Sequence, residues 1–144
     1  MFSSKTYLAL LVVLELSEKN RSSPLTSRDL AQKYGVSKRY LEVVFNNLAK
    51  SGIISSKRGI GGGYFLAGDI DKLSIHDLAG AVEGGLKIFA GGEYLNEDSK
   101  HAEVIKGINR FWNSLDSEVM DILRNHKLSD LLAELNNLRD MYYI

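Results

Sequence analysis

Apolar residues recur at intervals of three and four positions through the first third of the chain, a spacing that predicts helices. The first helix covers Ser4–Glu18, and a shorter second helix covers Ser27–Tyr34 with Gly35 at its carboxyl end. A third begins after Ser37, a residue type that caps helix amino termini, and ends at Gly52. The pattern therefore places three helices within the first 52 residues.

The period then shortens from about 3.6 towards 2, which is typical of extended strands. Residues 53–58 and 64–67 are predicted to be two short strands. The segment between them, residues 59–63, holds four glycines and predicts a tight turn. Together these segments predict a β-hairpin with a glycine-rich tip.

Three further helices are predicted after the hairpin. One covers Ser74–Glu83 and stops at Gly84-Gly85, and a long one runs from about Lys100 to Asn125. A short last helix follows Ser129 and precedes a polar stretch and a tail ending at Ile144, whereas residues 86–99 show no clear period. The expected fold class is therefore mainly α with a small β-hairpin.

The order of these elements predicts a winged helix-turn-helix. Two short helices joined by a Gly-Val-Ser turn form the helix-turn-helix, and the hairpin directly after it forms the wing. We expect a DNA-binding winged helix-turn-helix domain in residues 1–84 and a linker or effector region in residues 85–99. Residues 100–144 would form a long dimerisation helix and a C-terminal tail.

The distribution of charge changes the meaning of the composition. The chain carries 18 Lys and Arg and 18 Asp and Glu, so its formal net charge is zero. Residues 1–66 hold ten of the basic and four of the acidic residues, which gives +6, and the rest of the chain carries −6. Such asymmetry favours an anionic partner for the first half.

The candidate chemistry lies at the start of the third helix and at the wing tip. The helix begins Ser37-Lys38-Arg39-Tyr40, where side-chain donors join backbone N–H groups that favour phosphate. Lys57 and Arg58 lie at the tip beside glycines, which would let the backbone approach a sugar-phosphate wall while Arg58 enters the minor groove.

The composition argues against several other functions. The chain contains no cysteine, which excludes thiolate metal sites and disulfides, and its three histidines are too scattered to suggest a metal site. The longest apolar run, residues 7–14, is too short for a bilayer span, and no leader precedes it, so we expect a cytoplasmic protein without a membrane partner. No catalytic Ser/His/Asp set or P-loop is present, so we expect neither an enzyme nor a bound cofactor.

Four segments of the sequence resemble a known family. They are Tyr40-Leu41-Glu42, Gly52-Ile53-Ile54, Arg58-Gly59-Ile60-Gly61-Gly62-Gly63-Tyr64 and Ala81-Val82-Glu83-Gly84. The family is that of the winged-helix repressors that include IscR, NsrR and CymR. The resemblance implies a dimeric regulator of transcription that binds a double-stranded DNA operator. The residues implied or expected to contact DNA are Ser37, Lys38, Arg39, Tyr40, Glu42, Val43, Lys57, Arg58, Gly59, Gly61 and Gly62.

Two departures from the family pattern narrow the prediction. Val43 stands where many members have Gln, so it could pack against a thymine methyl group but could not pair with adenine. The cysteines that hold an iron–sulfur cluster in some members are absent from residues 85–110. The sequence is therefore most similar to the cysteine-free, CymR-like branch, which implies a repressor of cysteine or sulfur metabolism.

The end of the chain is similar to that of the cysteine-metabolism repressors. The residues Tyr142, Tyr143 and Ile144 form an aromatic-aromatic-isoleucine terminus. In that branch such a terminus implies a cysteine synthase as partner, because a free carboxylate beside an apolar side chain mimics the end of an amino-acid substrate. The alternative is that the apolar tail packs on its own domain.

The long helix carries an apolar stripe that predicts a homodimer, with the first helix packed against it. Its members are Val104, Ile108, Phe111, Trp112, Leu115, Val119 and Ile122. A dimer also fits the mechanism, since one small winged helix reads few base pairs and two-fold pairing sets the half-site spacing.

Two other functions fit the same fold. One is a direct sensor with a small-molecule pocket between the Ser74–Glu83 helix and residues 86–99. The other is an interaction module that has lost DNA binding. Arg58 and the Lys38-Arg39 pair disfavour this second function, because a module that meets no phosphate has no evident need of them.

Overall fold

The computed structural model of the protein describes residues 2–19, 22–88 and 100–143. Within these ranges the chain forms six α-helices and one hairpin, which confirms the expected mainly α fold class. The elements are α1 (Ser4–Ser17), α2 (Ser27–Tyr34), α3 (Lys38–Lys50), β1 (Ile54–Lys57), β2 (Gly63–Leu66), a 3-10 turn (Ile70–Lys72), α4 (Ile75–Glu83), α5 (Ala102–Asn125) and α6 (Leu128–Tyr142). No helix in the described ranges is long and apolar enough to cross a bilayer.

Local caps define the helix-turn-helix. The Thr26 hydroxyl accepts a hydrogen bond from the Asp29 N–H at 3.1 Å, and the Thr26 N–H donates to the Asp29 carboxylate at 2.9 Å, which forms a capping box. Gly35 ends α2 with φ of 65°, a left-handed conformation that glycine adopts without strain. The Ser37 hydroxyl then accepts from the Tyr40 N–H and starts α3. Three residues therefore separate α2 from α3, as the sequence predicts.

The core lies where one face of α3 meets α1, α2 and α4. These helices contribute aliphatic side chains that are almost completely shielded from solvent, and Phe45 is the largest side chain among them. The cluster includes Leu8, Val12, Val13, Leu16, Leu30, Leu41, Val44, Phe45, Leu48, Leu78 and Val82. Because α3 buries this face, its opposite face is directed to solvent.

The hairpin is attached to the helix-turn-helix at its base. Ile54 pairs with Leu66 and Lys57 with Gly63 across the two antiparallel strands. Leu25, just before α2, exchanges two backbone hydrogen bonds with Tyr64 at 3.0 and 2.7 Å, an interaction that the sequence pattern does not predict. The Tyr64 ring also packs on Phe45 of α3 with centroids 4.8 Å apart. The base of the wing is therefore attached both to the segment before α2 and to α3.

The junction between α5 and α6 is fixed to the segment before α4. The Ile75 N–H donates to the His126 carbonyl and the Leu128 N–H to the Leu73 carbonyl, both at 2.9 Å. Leu128 is fully buried, so the chain turns back onto the body at this point. An ion pair between Arg139 and Glu18 further joins α6 to α1.

The last helix differs from its prediction. Instead of a short helix after Ser129 followed by a polar stretch, α6 begins at Leu128 and continues to Tyr142. At this start the Lys127 N–H donates to the Asp130 carboxylate at 3.0 Å, and the Leu128 N–H donates to the distant Leu73 carbonyl. Tyr142 therefore belongs to a helix end and not to an extended tail.

The first helix packs on α3 and α4 within the protomer, and α4 packs on α5. The buried side chains of α4 are Leu78, Ala79 and Val82, of which Leu78 and Val82 belong to the same core cluster as Leu8 and Val12 of α1. Packing of α1 on the long helix in a homodimer stays a prediction.

Candidate nucleic-acid interface

The solvent-directed face of α3 carries four of the predicted contact residues. Lys38, Arg39, Glu42 and Val43 are all exposed, on the side opposite the buried Leu41, Val44 and Phe45. The Lys38 ammonium lies 3.3 Å from the Glu42 carboxylate, an i,i+4 pair between half-exposed side chains that contributes little to stability. Charged donors, a carboxylate acceptor and an apolar valine are therefore available together on one helical face.

Tyr40 is placed differently from its neighbours on α3. Its ring is half-buried against the core cluster, and its hydroxyl lies 2.8 Å from the Ser4 hydroxyl. Sequence reasoning missed Ser4, because nothing local connects positions 36 residues apart. Tyr40 thereby sets the amino terminus of α1 beside that of α3.

The wing tip exposes two basic side chains. Lys57 and Arg58 are exposed, and neither forms an ion pair with another described residue. Two unpaired cations on a protruding turn attract phosphate without first breaking an internal interaction.

The glycines of the wing tip are required by the turn itself. Gly59 and Gly61 have φ of 98° and 73°, which side-chain-bearing residues rarely adopt. The Gly62 N–H donates to the Gly59 carbonyl at 3.0 Å, and a Cβ on Gly62 would clash with the Lys57 carbonyl oxygen. The sequence interpretation assigned these glycines to a close approach to DNA. The geometry supplies an internal reason that holds with or without DNA.

Glu83 fixes the end of α4 against the start of α1. One of its carboxylate oxygens accepts hydrogen bonds from the Ser3 N–H and hydroxyl, both at 2.8 Å, and from the Thr6 hydroxyl at 2.7 Å. Partial burial opposes ionisation, but the hydrogen bonds from Ser3 and Thr6 outweigh it and lower the pKa of Glu83 below its ordinary value. Glu83 belongs to the Ala81-Val82-Glu83-Gly84 segment that resembles the family, but the sequence pattern does not predict its hydrogen bonds with Ser3 and Thr6.

The predicted dimer residues of α5 lie on one face of the helix but differ in exposure. Val104, Ile108, Phe111 and Ile122 are exposed, and Phe111 retains 61% of its accessible surface. Trp112, Leu115 and Val119 are half-buried. A row of large exposed apolar side chains remains along one side of the helix.

The last residues lie at the open end of α6. Tyr142 and Tyr143 are 80% and 87% exposed. Both tyrosine side chains therefore lie largely in solvent, and docking of the tail on a partner stays a prediction. Ile144 lies outside the described residues.

Comparison with known proteins places these features in one family. A model of the Rrf2 family, described as iron-dependent transcriptional regulators, matches residues 2–134. The HTH-type transcriptional regulator IscR of Vibrio vulnificus is 29% identical over 135 residues, which span 92% of this chain and 77% of that protein.

Solved structures show the same similarity. The structure of CymR, the global cysteine regulator of Bacillus subtilis, is 26% identical with a TM-score of 0.70, over 93% of this chain and 97% of that one. Staphylococcus aureus CymR is also 26% identical, with a TM-score of 0.63 over 90% of this chain and 95% of that one.

The family description names iron, but this chain has no residues that fit a cysteine-ligated iron–sulfur cluster. The 144 residues include no cysteine to ligate an iron–sulfur cluster. In the described ranges, no three His, Asp or Glu side chains lie close enough together to hold a metal ion.

Proposed function

Since the chain belongs to the Rrf2 family of transcriptional regulators, we propose that it is a cytoplasmic repressor that binds a pseudo-palindromic DNA operator as a homodimer. Residues 1–84 would read the operator, residues 85–99 would form the linker or effector region, and residues 100–144 would supply dimerisation helix and tail. The recognition helix α3 would enter the major groove and the wing the minor groove.

The observation that carries this proposal is that α3 and the wing both expose unpaired cations. They are Arg39 on α3 and Lys57 and Arg58 on the wing. Ser37 and Lys38 would join Arg39 on phosphates at the start of α3. Glu42 would accept from a cytosine amino group and Val43 would contact a thymine methyl. The Tyr40 hydroxyl is hydrogen-bonded to the Ser4 hydroxyl. Tyr40 would therefore contact a phosphate together with Ser4 more readily than a base edge.

The exposed stripe of α5 supports the homodimer. Val104, Ile108, Phe111 and Ile122 would be shielded from water by the same face of a second copy, which gives a two-fold, self-complementary contact. Leu115 would lie within the same stripe, and Trp112 and Val119 would lie at its edge. Two reading heads related by this axis would match a pseudo-palindromic operator.

The wing is tested by the salt dependence of DNA binding. We expect affinity for an operator, recovered from genomic fragments with the purified protein, to fall steeply as salt rises, because bound phosphates release counterions. Arg58→Ala should weaken binding about tenfold and reduce the slope of log K against log salt by about one per protomer. Fluorescence anisotropy of a labelled duplex at several salt concentrations measures both.

A matched control removes the same charge elsewhere. Lys72 is exposed but directly follows Asp71, with Asp69 also nearby, in a stretch that would repel phosphate. Lys72→Ala should therefore keep the affinity and slope of the unchanged protein. If Arg58→Ala behaves like Lys72→Ala, the wing does not contact the phosphate backbone.

We further propose that the protein regulates genes of cysteine or sulfur metabolism and does so without an iron–sulfur cluster. The support is the missing cysteines together with the similarity to the B. subtilis global cysteine regulator. The exposed Tyr142 and Tyr143 favour docking of the tail on a partner, for which a cysteine synthase is the candidate.

A further inference from the structure

The wing tip presents an isoleucine between its two left-handed glycines. Ile60 is fully exposed, more so than any other large apolar side chain in the described part of the chain. Single exposed apolar residues are common on protein surfaces and need no function. Ile60 differs in its position, because it lies two residues after Arg58, next to the unpaired cations Lys57 and Arg58 at the tip of the wing.

The backbone holds this side chain in a defined place. The hydrogen bond from Gly62 to Gly59 closes the turn around Ile60, and any side chain at Gly62 would collide with the Lys57 carbonyl. At the base, the Leu25–Tyr64 pairing ties the strands to the helix-turn-helix. Little conformational freedom then remains to be lost when the tip enters a groove.

The chemistry of Ile60 suits the minor groove of an A·T base pair. Deoxyribose rings line the walls, and an A·T floor carries no protruding group, whereas a G·C pair projects the guanine 2-amino group. An isoleucine cannot accept a hydrogen bond from that amino group, so contact would remove water from the donor without replacing it. Other minor-groove proteins insert apolar side chains between base steps in the same way.

We propose that Ile60 enters the minor groove of the operator and acts as a specificity-determining residue that favours A·T over G·C beneath the wing. The inference rests on the proposed function and extends it from charge to sequence preference. Arg58 supplies attraction to phosphate, and Ile60 supplies discrimination at one base step.

The test places A·T, G·C or inosine·C at each operator position beneath the wing and measures affinity by anisotropy. Inosine pairs like guanine but lacks the 2-amino group. For the unchanged protein we expect G·C at one position to weaken binding about tenfold and inosine·C to restore it. Ile60→Ala should bind the A·T operator several-fold more weakly and lose most of the discrimination against G·C.

Two controls separate the inference from its premise. Ile60→Val keeps the branched shape and should keep the discrimination, and Ile60→Ala should keep the salt slope because no charge is removed. Unchanged discrimination in Ile60→Ala overturns the role of Ile60 but leaves the proposed function standing. Failure of the unchanged protein to bind any duplex overturns both. Since Ile60 is fully exposed, its replacement should leave the thermal unfolding temperature unchanged.

Discussion

A single carboxylate, that of Glu83, joins the end of α4 to the start of α1. It meets the Ser3 and Thr6 donors of α1, and the neighbouring Ser4 meets the Tyr40 hydroxyl of the recognition helix. The residues after Glu83 lead into the expected effector region. This short series of contacts therefore connects the end of α4 with the start of α3, whose exposed face is proposed to contact DNA.

Glu83→Gln should lower the free energy of unfolding by about 1–2 kcal/mol at pH 7, because a charged acceptor makes stronger hydrogen bonds than an amide. The pKa of the Glu83 carboxyl is lower in the folded chain than its ordinary value of 4.5. Its contribution is thus complete above pH 4.5 and is lost as the pH falls through the folded pKa. Urea unfolding at several pH values should show the two proteins converging in acid.

The comparison needs a glutamate without these contacts. Glu134 is exposed on α6, and Glu134→Gln should match the unchanged protein at every pH. A stability difference for Glu83→Gln that stays constant with pH would show that the charge of Glu83 is not what stabilises the contact.

At the scale of elements, packing within the protomer does not account for the exposed apolar stripe of α5. Apolar contacts of α5 with α4 account for its half-buried side, including the buried Met120. They leave Val104, Ile108 and Phe111 in water, at a cost that burial in a dimer would remove.

Phe111→Asp should therefore produce a monomer, because the dimer would have to bury two uncompensated carboxylates at the centre of the stripe. We expect the dimer dissociation constant to rise about 100-fold or more, as measured by sedimentation at micromolar concentration. Asn113 is exposed on the same helix outside the stripe, so Asn113→Asp is the matched control and should remain dimeric. A monomeric unchanged protein would contradict the proposed interface.

How well an element could be predicted depended on how local its determinants are. The bounds of α2 agree with the prediction because Thr26, Asp29 and Gly35 fix them within a few residues. The start of α6 was predicted less accurately, since it combines the local contact of Lys127 with Asp130 and a contact of Leu128 with Leu73, far away in sequence. The residues proposed to contact DNA also differ in how local their determinants are. Exposure of Lys38, Arg39 and Val43 follows from helical periodicity, whereas the attachment of Tyr40 to Ser4 arises from packing.

At the scale of the whole molecule, the neutral total charge is the sum of a basic half, which is proposed to bind DNA, and an acidic half. The +6 of residues 1–66 includes the exposed cations of α3 and the wing, and the −6 of the remainder lies in the half that carries α5 and α6. The acidic half should be repelled by phosphate, which favours one orientation on DNA. It leaves the end of α6 free for a different partner.

Deletion of residues 143–144 tests whether the end of α6 binds a partner independently of DNA binding by the basic half. Because α6 ends at Tyr142, the truncated chain keeps every described helix complete. We expect capture of cysteine synthase in a pull-down to be abolished and operator affinity to change less than about twofold, since the tail is remote from the cations. Tyr7→Ala removes an exposed tyrosine from α1 and should not affect capture. Unchanged capture by the truncated chain would refute docking through the tail.

The pairing of Leu25 with Tyr64, together with the packing of Tyr64 on Phe45, has a consequence for how such a regulator could respond to a signal. These contacts bind loop, recognition helix and wing into one rigid body, so a signal cannot easily bend one against another. In a dimer, the adjustable quantity is instead the distance between two rigid bodies, set against the roughly 34 Å helical repeat of DNA. A shift of a few ångströms along the dimer axis would then place both recognition helices out of phase with successive major grooves at once.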